Sequence, residues 1–241
     1  MHTFRFAPGV TLLGVPGPRA PVVHQLACER LAETDGPAYW IDARNAATTH
    51  TLYDCAPSRR SLDALRIARA FTAYQHHSLV ASVAERVTDR TSLVVATNVA
   101  SLYRDPDLPE SEQTALLAAS LSTLHELSQR VDVPVLATTT DAGALDAQGD
   151  DVVDRRVTCT QTREGIRLTG DGVETAGYWG RGYWQTTIPY WVDVCGSTDR
   201  FDPIVAAADR GLLDPSFEAS ETGDPGLGTA DPAAATTGVD G

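Results

Sequence analysis

GVPGPRAPVVHQLA, residues 14–27, is the stretch on which the reading of this chain turns. Before it, the apolar run Val10–Leu13 reads as a short buried strand. After it, Val22–Glu33 has helical spacing, so the stretch is a strand-to-helix connection. A connection of this kind that cradles phosphate needs the spacing G-x-x-x-x-G-K-[ST], with the lysine neutralising phosphate charge and the hydroxyl holding Mg²⁺. Gly14 stands at the first glycine position and Gly17 lies inside the loop, but the second glycine position is Arg19, the lysine position Ala20 and the hydroxyl position Pro21. A bulky side chain at Arg19 crowds the backbone cradle. Pro21 suits the first turn of a helix but removes one of the amides the cradle uses. All 19 basic residues are arginine, so no lysine is available anywhere in the chain.

Outward from this stretch, short apolar runs alternate with helical patterns, the signature of a mostly parallel sheet covered by helices. The expected strands are Val10–Leu13, Ala38–Asp42, Arg66–Phe71, Ser92–Thr97 and Pro134–Thr138. The expected helices are Val22–Glu33, Ala73–Val87 and Ser111–Arg130, the last with Leu117, Leu121, Leu124 and Ser128 on one stripe. Thr72 and Ser111 are the expected N-caps. Arg66 and Arg69 fall on a strand expected to be largely buried, which predicts a carboxylate partner for at least one of them.

Past residue 150 the pattern changes to strands of alternating polarity. RRVTCTQT and GIRLTG read as a hairpin joined near Glu164–Gly165, followed by an aromatic strand region at 183–194. The expected organisation is a core over 1–150, a β extension packed on it over 151–195, a short helix over 196–214 and a disordered acidic tail over 215–241.

The net charge of −13 argues against a chain built mainly to coat phosphate. Loss of lysine with Ala, Asp, Thr and Val favoured is the composition of a halophilic proteome, and molar salt shortens the Debye length to about 3 Å. The four cysteines (Cys28, Cys55, Cys159, Cys195) form no C-x-x-C pair and read as buried free thiols. No apolar run approaches membrane length and MHTFRFAPGV shows no signal pattern, so a cytoplasmic protein without a membrane is the expectation.

Four stretches in order resemble the core of the RecA/RadA recombinase superfamily, in its archaeal RadA-like branch. They are GVPGPRAPVVHQLA (14–27), YWIDARNA (39–46), LRIARAFTAYQHHSLV (65–80) and SLVVATNVASLYR (92–104). The resemblance implies a P-loop NTPase-type α/β fold: a RecA-like parallel central sheet flanked by helices, with a C-terminal β extension. It also places the acting positions. The water-orienting Glu falls at Arg44, the Walker B Asp at Ala96, and the nucleotide-sensing Asn-Gln pair within Thr138–Thr140, while Asp42 is retained. Phosphoryl transfer depends on these groups for positioning and charge stabilisation. The degenerate nucleotide-site positions are therefore Gly14, Gly17, Arg19, Ala20, Pro21, Asp42, Arg44 and Ala96, and the resemblance implies a pseudo-ATPase with no cofactor.

The loops where the family grips DNA read RDPDLPESEQ (104–113) and DAGALDAQGDD (141–151), both acidic, so strong nucleic-acid binding is not expected. The aromatic stretch 177–191 offers Tyr178, Trp179, Arg181, Tyr183, Trp184, Tyr190 and Trp191 as core, as a protein interface or as base-stacking groups. His50, Cys55, Asp42, His76 and His77 read as structural rather than metal-binding, since neighbouring histidines on one helix point in different directions. The expectation is an accessory or regulatory protein in DNA repair or recombination, docking on a recombinase or another RecA-fold subunit. The alternatives are a weak nucleotide sensor using Arg19 and Asp42, and a single-strand binder using the aromatic strand.

Overall fold

The computed structural model describes residues 4–141, 151–162, 165–180 and 183–186. Its strands are β1 (Gly9–Gly14), β2 (Ala38–Ala43), β3 (Leu65–Ala70), β4 (Leu93–Thr97), β5 (Pro134–Thr139), β6 (Arg155–Thr162), β7 (Gly165–Gly170), β8 (Val173–Gly180) and β9 (Tyr183–Thr186). The helices are α1 (Pro21–Glu33), α2 (Thr49–Cys55), α3 (Ala73–Arg86) and α4 (Glu110–Val131), with a 3₁₀ turn at Arg59–Leu62. Among the described residues the strands form one sheet in the order β3-β2-β4-β5-β1-β6-β7-β8-β9. The first six in that order pair in parallel, and β7, β8 and β9 add in antiparallel steps.

Alternation along the parallel strands divides the core into two layers. Leu13, Trp40, Leu93, Val95 and Leu136 point to one face, where α1 and α2 cover them with Val23, Leu26, Leu31 and Leu52. Val10, Leu12, Ile41, Val94, Ala96, Val135 and Ala137 point to the other, under α3 and α4. Both faces of the central strands are buried, which is why they read as continuous apolar runs.

The β6–β9 region continues the central sheet, since β6 pairs with β1 from Thr11↔Arg155 to Gly14↔Thr158. Asp154 fastens this joint: its Oδ2 accepts from Val10 N at 2.7 Å, and its N donates to Val10 O at 2.9 Å. A Cβ on Gly9, at φ +111°, would sit 2.9 Å from the same Oδ2, so this position needs glycine.

Thr72 caps α3 by accepting from Gln75 N, while Gln75 Oε1 accepts from Phe71 N, a reciprocal arrangement of the capping-box type. Ser111 does not cap α4, which begins one residue earlier behind Pro109 with no side-chain cap; Glu110 and Glu112 in the first turn face the helix dipole instead. The burial expected for the third strand is also corrected. Among the described residues β3 is the edge of the sheet, with Arg66, Ile67 and Arg69 exposed, because β2 is its one strand neighbour there. The helix α2 carried no sequence expectation, and β8 begins ahead of the aromatic stretch expected from residue 177. The aromatic strand expected over 183–194 is seen as β9 to Thr186, and its remainder, the 196–214 helix and the 215–241 tail lie outside the described residues.

Candidate functional site

At the C-terminal ends of the parallel strands, α1 leaves β1 toward one face and α4 follows β4 toward the other. Open parallel sheets place ligands in the crevice that such divergent connections create. The residues singled out by sequence gather here. An open cleft of about 500 Å³ is lined by residues 16–21 together with Arg44 and Gln161.

The loop between β1 and α1 offers little to a phosphate. Val15 N donates to Thr139 O at 2.8 Å and Ala20 N to Gly17 O at 3.1 Å. Pro16, Pro18 and Pro21 have no N–H. Only the amides of Gly17 and Arg19 remain in the 15–21 stretch. A side chain built on Gly17 would meet nothing within 4 Å, so the loop does not wrap tightly there.

Asn98, in the left-handed region at φ +52°, staples this loop to the rest of the rim. Its Nδ2 donates to Pro18 O at 3.0 Å and to Ala43 O at 3.1 Å, and its backbone N donates to Thr138 Oγ1 at 2.9 Å. Thr139 Oγ1 donates to Asp141 O at 2.9 Å, so the hydroxyls at the end of β5 serve the local backbone.

Asp42 is fully buried and its carboxylate is spent internally. Oδ1 accepts from Ala46 N at 2.7 Å and lies 3.3 Å from Thr97 Oγ1; Oδ2 accepts from Arg69 Nε at 3.2 Å. Arg69 also donates to Ala47 O at 3.0 Å, closing the connection after β2. Arg44, at φ +65°, donates to Ser101 O at 2.9 Å and keeps an exposed side chain on the cleft.

One of the singled-out positions lies away from the rim. Ala96 packs into the α3/α4 layer, so a carboxylate there would point away from the rim. The β4 residue on the α1 side is Thr97, whose hydroxyl accepts from Trp40 Nε1 at 3.3 Å and meets Asp42 and Ile41 O. Adjacent strand residues face opposite sides, so Thr97 and not Ala96 reaches the rim. Gln161, brought into the cleft from β6, carried no local sequence signal.

His24 of α1 is buried against Trp40, with ring centroids 5.2 Å apart, and its Nε2 accepts from Thr48 N at 3.2 Å. Burial lowers its pKa from the ordinary value of 6.5. The other histidines do not converge. His50 pairs with Asp54 on the surface, His76 Nδ1 meets Tyr103 OH at 2.7 Å, and His77 Nδ1 meets Ser120 Oγ at 3.0 Å. Among the described residues no three metal-binding side chains come together. Cys28, Cys55 and Cys159 are free and buried; burial pushes Cys28 up to about 12 and Cys159 to about 11, which makes them poor nucleophiles.

Of the aromatic stretch, β8 and β9 place Trp179 opposite Trp184 and Tyr183 opposite Gly180, while Tyr178 faces Gln185 in the register. Arg181, Tyr190 and Trp191 lie outside the described residues. Arg104, in the first acidic loop, pairs with Asp141 at 3.0 Å. No helix among the described residues is long and apolar enough to cross a membrane. The chain matches no protein-family model and no curated protein.

Proposed function

We propose that this chain is a non-catalytic protein with a RecA/RadA-like frame, acting as an accessory or regulatory subunit that docks on a partner in DNA repair or recombination. The observation that carries the reading is the state of the rim. Asp42, the acidic group kept from the motif, is buried and bonded to Ala46, Thr97 and Arg69, while the loop beside it has lost its lysine, its hydroxyl and most of its amides. A hydrolase needs a carboxylate free to reach Mg²⁺ or water. Support for the frame comes from the strand order, which puts β1 and its loop mid-sheet between β5 and β6, and from the gathering of positions 14–21, 42–44, 97–98 and 138–139 at one rim. The partner is a recombinase or another RecA-fold subunit.

One observation favours a second reading. Arg19 and Arg44 are exposed on a cleft lined by no carboxylate among the described residues, an arrangement suited to weak, Mg²⁺-independent anion or nucleotide sensing. Asp42 takes no part in that version. Calorimetry with ATP and Mg²⁺ in high salt separates the two. The docking reading expects no binding below millimolar concentration; micromolar binding overturns it in favour of the sensor.

A further inference from the structure

α1 and α2 meet along a seam with weak polar ties. His24 and Cys28 stand one helical turn apart on α1, so they share a side of that helix, and both are buried. Opposite them stand Thr48, just before α2, and Leu52 one turn inside it. His24 Nε2 accepts from Thr48 N at 3.2 Å, and Cys28 Sγ donates to Leu52 O at 3.7 Å. The first tie leaves His24 Nδ1 without a partner among the described residues. The second is a weak bond to a carbonyl that already accepts from Ala56 N.

Cys55 completes the seam. Leu52 and Cys55 are the buried residues of α2, and their spacing puts them on one face of it. Helical side chains lean toward the N-terminus, which carries the Cys55 side chain back over the turn that holds the Leu52 carbonyl. Both sulfurs therefore belong to the same turn of α2, inside the same apolar layer. Burial pushes the Cys28 thiol up to about 12, with Cys55 adding to the rise, whereas Cys159 on β6 is raised to about 11 by burial alone.

Thiols held in a closed apolar seam react slowly, and α2 supplies the opening. It has seven residues, fewer than a helix needs to hold itself in water, and no side chain caps its N-terminus. Tyr53 and Asp54 are exposed on its outer face. Its order comes from packing on α1, so local opening bares Cys55 before Cys28, which sits inside the longer helix.

We propose that Cys28 and Cys55 are a redox pair that a hydroperoxide converts to a disulfide, locking α2 onto α1. The Cys55 thiolate attacks the peroxide oxygen; the O–O bond breaks, and a sulfenic acid and the alcohol (water, from hydrogen peroxide) are formed. The Cys28 thiol then attacks that sulfur. The S–S bond forms, the S–O bond breaks, and the departing hydroxide leaves as water with the thiol proton. The two thiols give up one electron pair between them, and the peroxide takes it. α1 begins at the loop that lines the cleft, and α2 follows the connection that carries Arg44. The lock thus joins the two helices that lead away from the cleft, and it holds whether or not the chain docks on a partner.

The test treats the full, reduced chain with hydrogen peroxide in slight excess and then blocks the remaining thiols. Intact mass should fall by about 2 Da, the loss of two hydrogens, and an unreduced digest should contain the peptide joining Cys28 to Cys55. Cys28→Ser or Cys55→Ser should each abolish that peptide, and Cys159→Ser should keep it. The oxidised chain should melt about 5 °C or more above the reduced one, and a dithiol should reverse the gain. Hydrogen exchange should slow at residues 49–55.

A disulfide from either residue to Cys159 or Cys195, one that joins two chains, or sulfinic acid on unlinked cysteines overturns the pair. So does a native chain that stays reduced at a peroxide level that oxidises the same chain in urea. A Cys28–Cys55 disulfide that leaves the melt and the exchange unchanged overturns the lock. Mapping on the wild type decides each of these, even where a serine variant fails to fold.

Discussion

The rim at the ends of β1, β2 and β4 and the open edge along β3 are joined through Arg69, yet they treat polar groups in opposite ways. At the rim, Asp42, Thr97, Asn98 and Thr138 bond to one another or to nearby backbone. At the edge, a row of peptide groups and the guanidinium of Arg66 face solvent beside Ile67 and Phe71. Catalysis needs groups poised for a substrate rather than for each other, and association needs groups with nothing yet to hold. In this chain the polar side chains of the inner rim hold one another, and those of the margin face solvent.

The comparison breaks most directly at Asp42. Asp42→Ala leaves the Ala46 amide without its acceptor inside the protein and strips Arg69 of its partner. Breaking a buried pair of this kind costs about 3 kcal/mol or more, here at the lower end because Arg69 can turn to water. That corresponds to roughly 6–12 °C in melting temperature for a chain of this size. A thermal melt close to wild type would mean that the carboxylate is spare after all and that the rim is not structural.

His76 gives the next largest effect. Burial pushes its pKa from 6.5 down to about 4, and its Nε2 has no partner in the interior. Between these two values the unfolded chain takes up a proton that the folded chain refuses, so stability falls as pH falls from 6.5 toward 4. Above 6.5 the residue contributes no slope, and below 4 the loss saturates at about 3 kcal/mol. His24, also lowered by burial, acts with the same sign. Urea midpoints between pH 7.5 and 4.5 should fall more steeply for wild type than for His76→Gln. Parallel curves would show that His76 carries none of the acid sensitivity.

Much of the fold was legible because burial on both faces writes central strands as uninterrupted apolar runs. Val10–Leu13, Ala38–Asp42 and Pro134–Thr138 each lie within the observed strand, and Thr72 caps α3 through the contact that its spacing to Gln75 implies. What was not legible depends on neighbours far away in sequence. LRIARA reads as a buried strand until the strand order makes it an edge. Ala96 and Thr97 are adjacent in an apolar run, and only packing against α3 and α4 shows which of them looks away from the rim. Gln161 reaches the cleft through the pairing of β6 with β1, a contact without any spacing to betray it. Arg44 and the 14–21 loop could be singled out from the sequence, and they line one cleft, but the internal use of Asp42 was not legible, since its partner Arg69 arrives from another strand.

The smallest expected effect sharpens the comparison from the other side. Ile67→Lys removes an exposed apolar side chain at an edge and adds a charge beside Arg69, with no buried hydrogen bond lost. Surface changes of this kind stay within about 0.5 kcal/mol, so chemical denaturation should give nearly the wild-type midpoint. A large destabilisation would mean that Ile67 belongs to the α1-side core and that β3 is held as firmly as the rim. A near-neutral result leaves the apolar edge without a role in the stability of the chain itself.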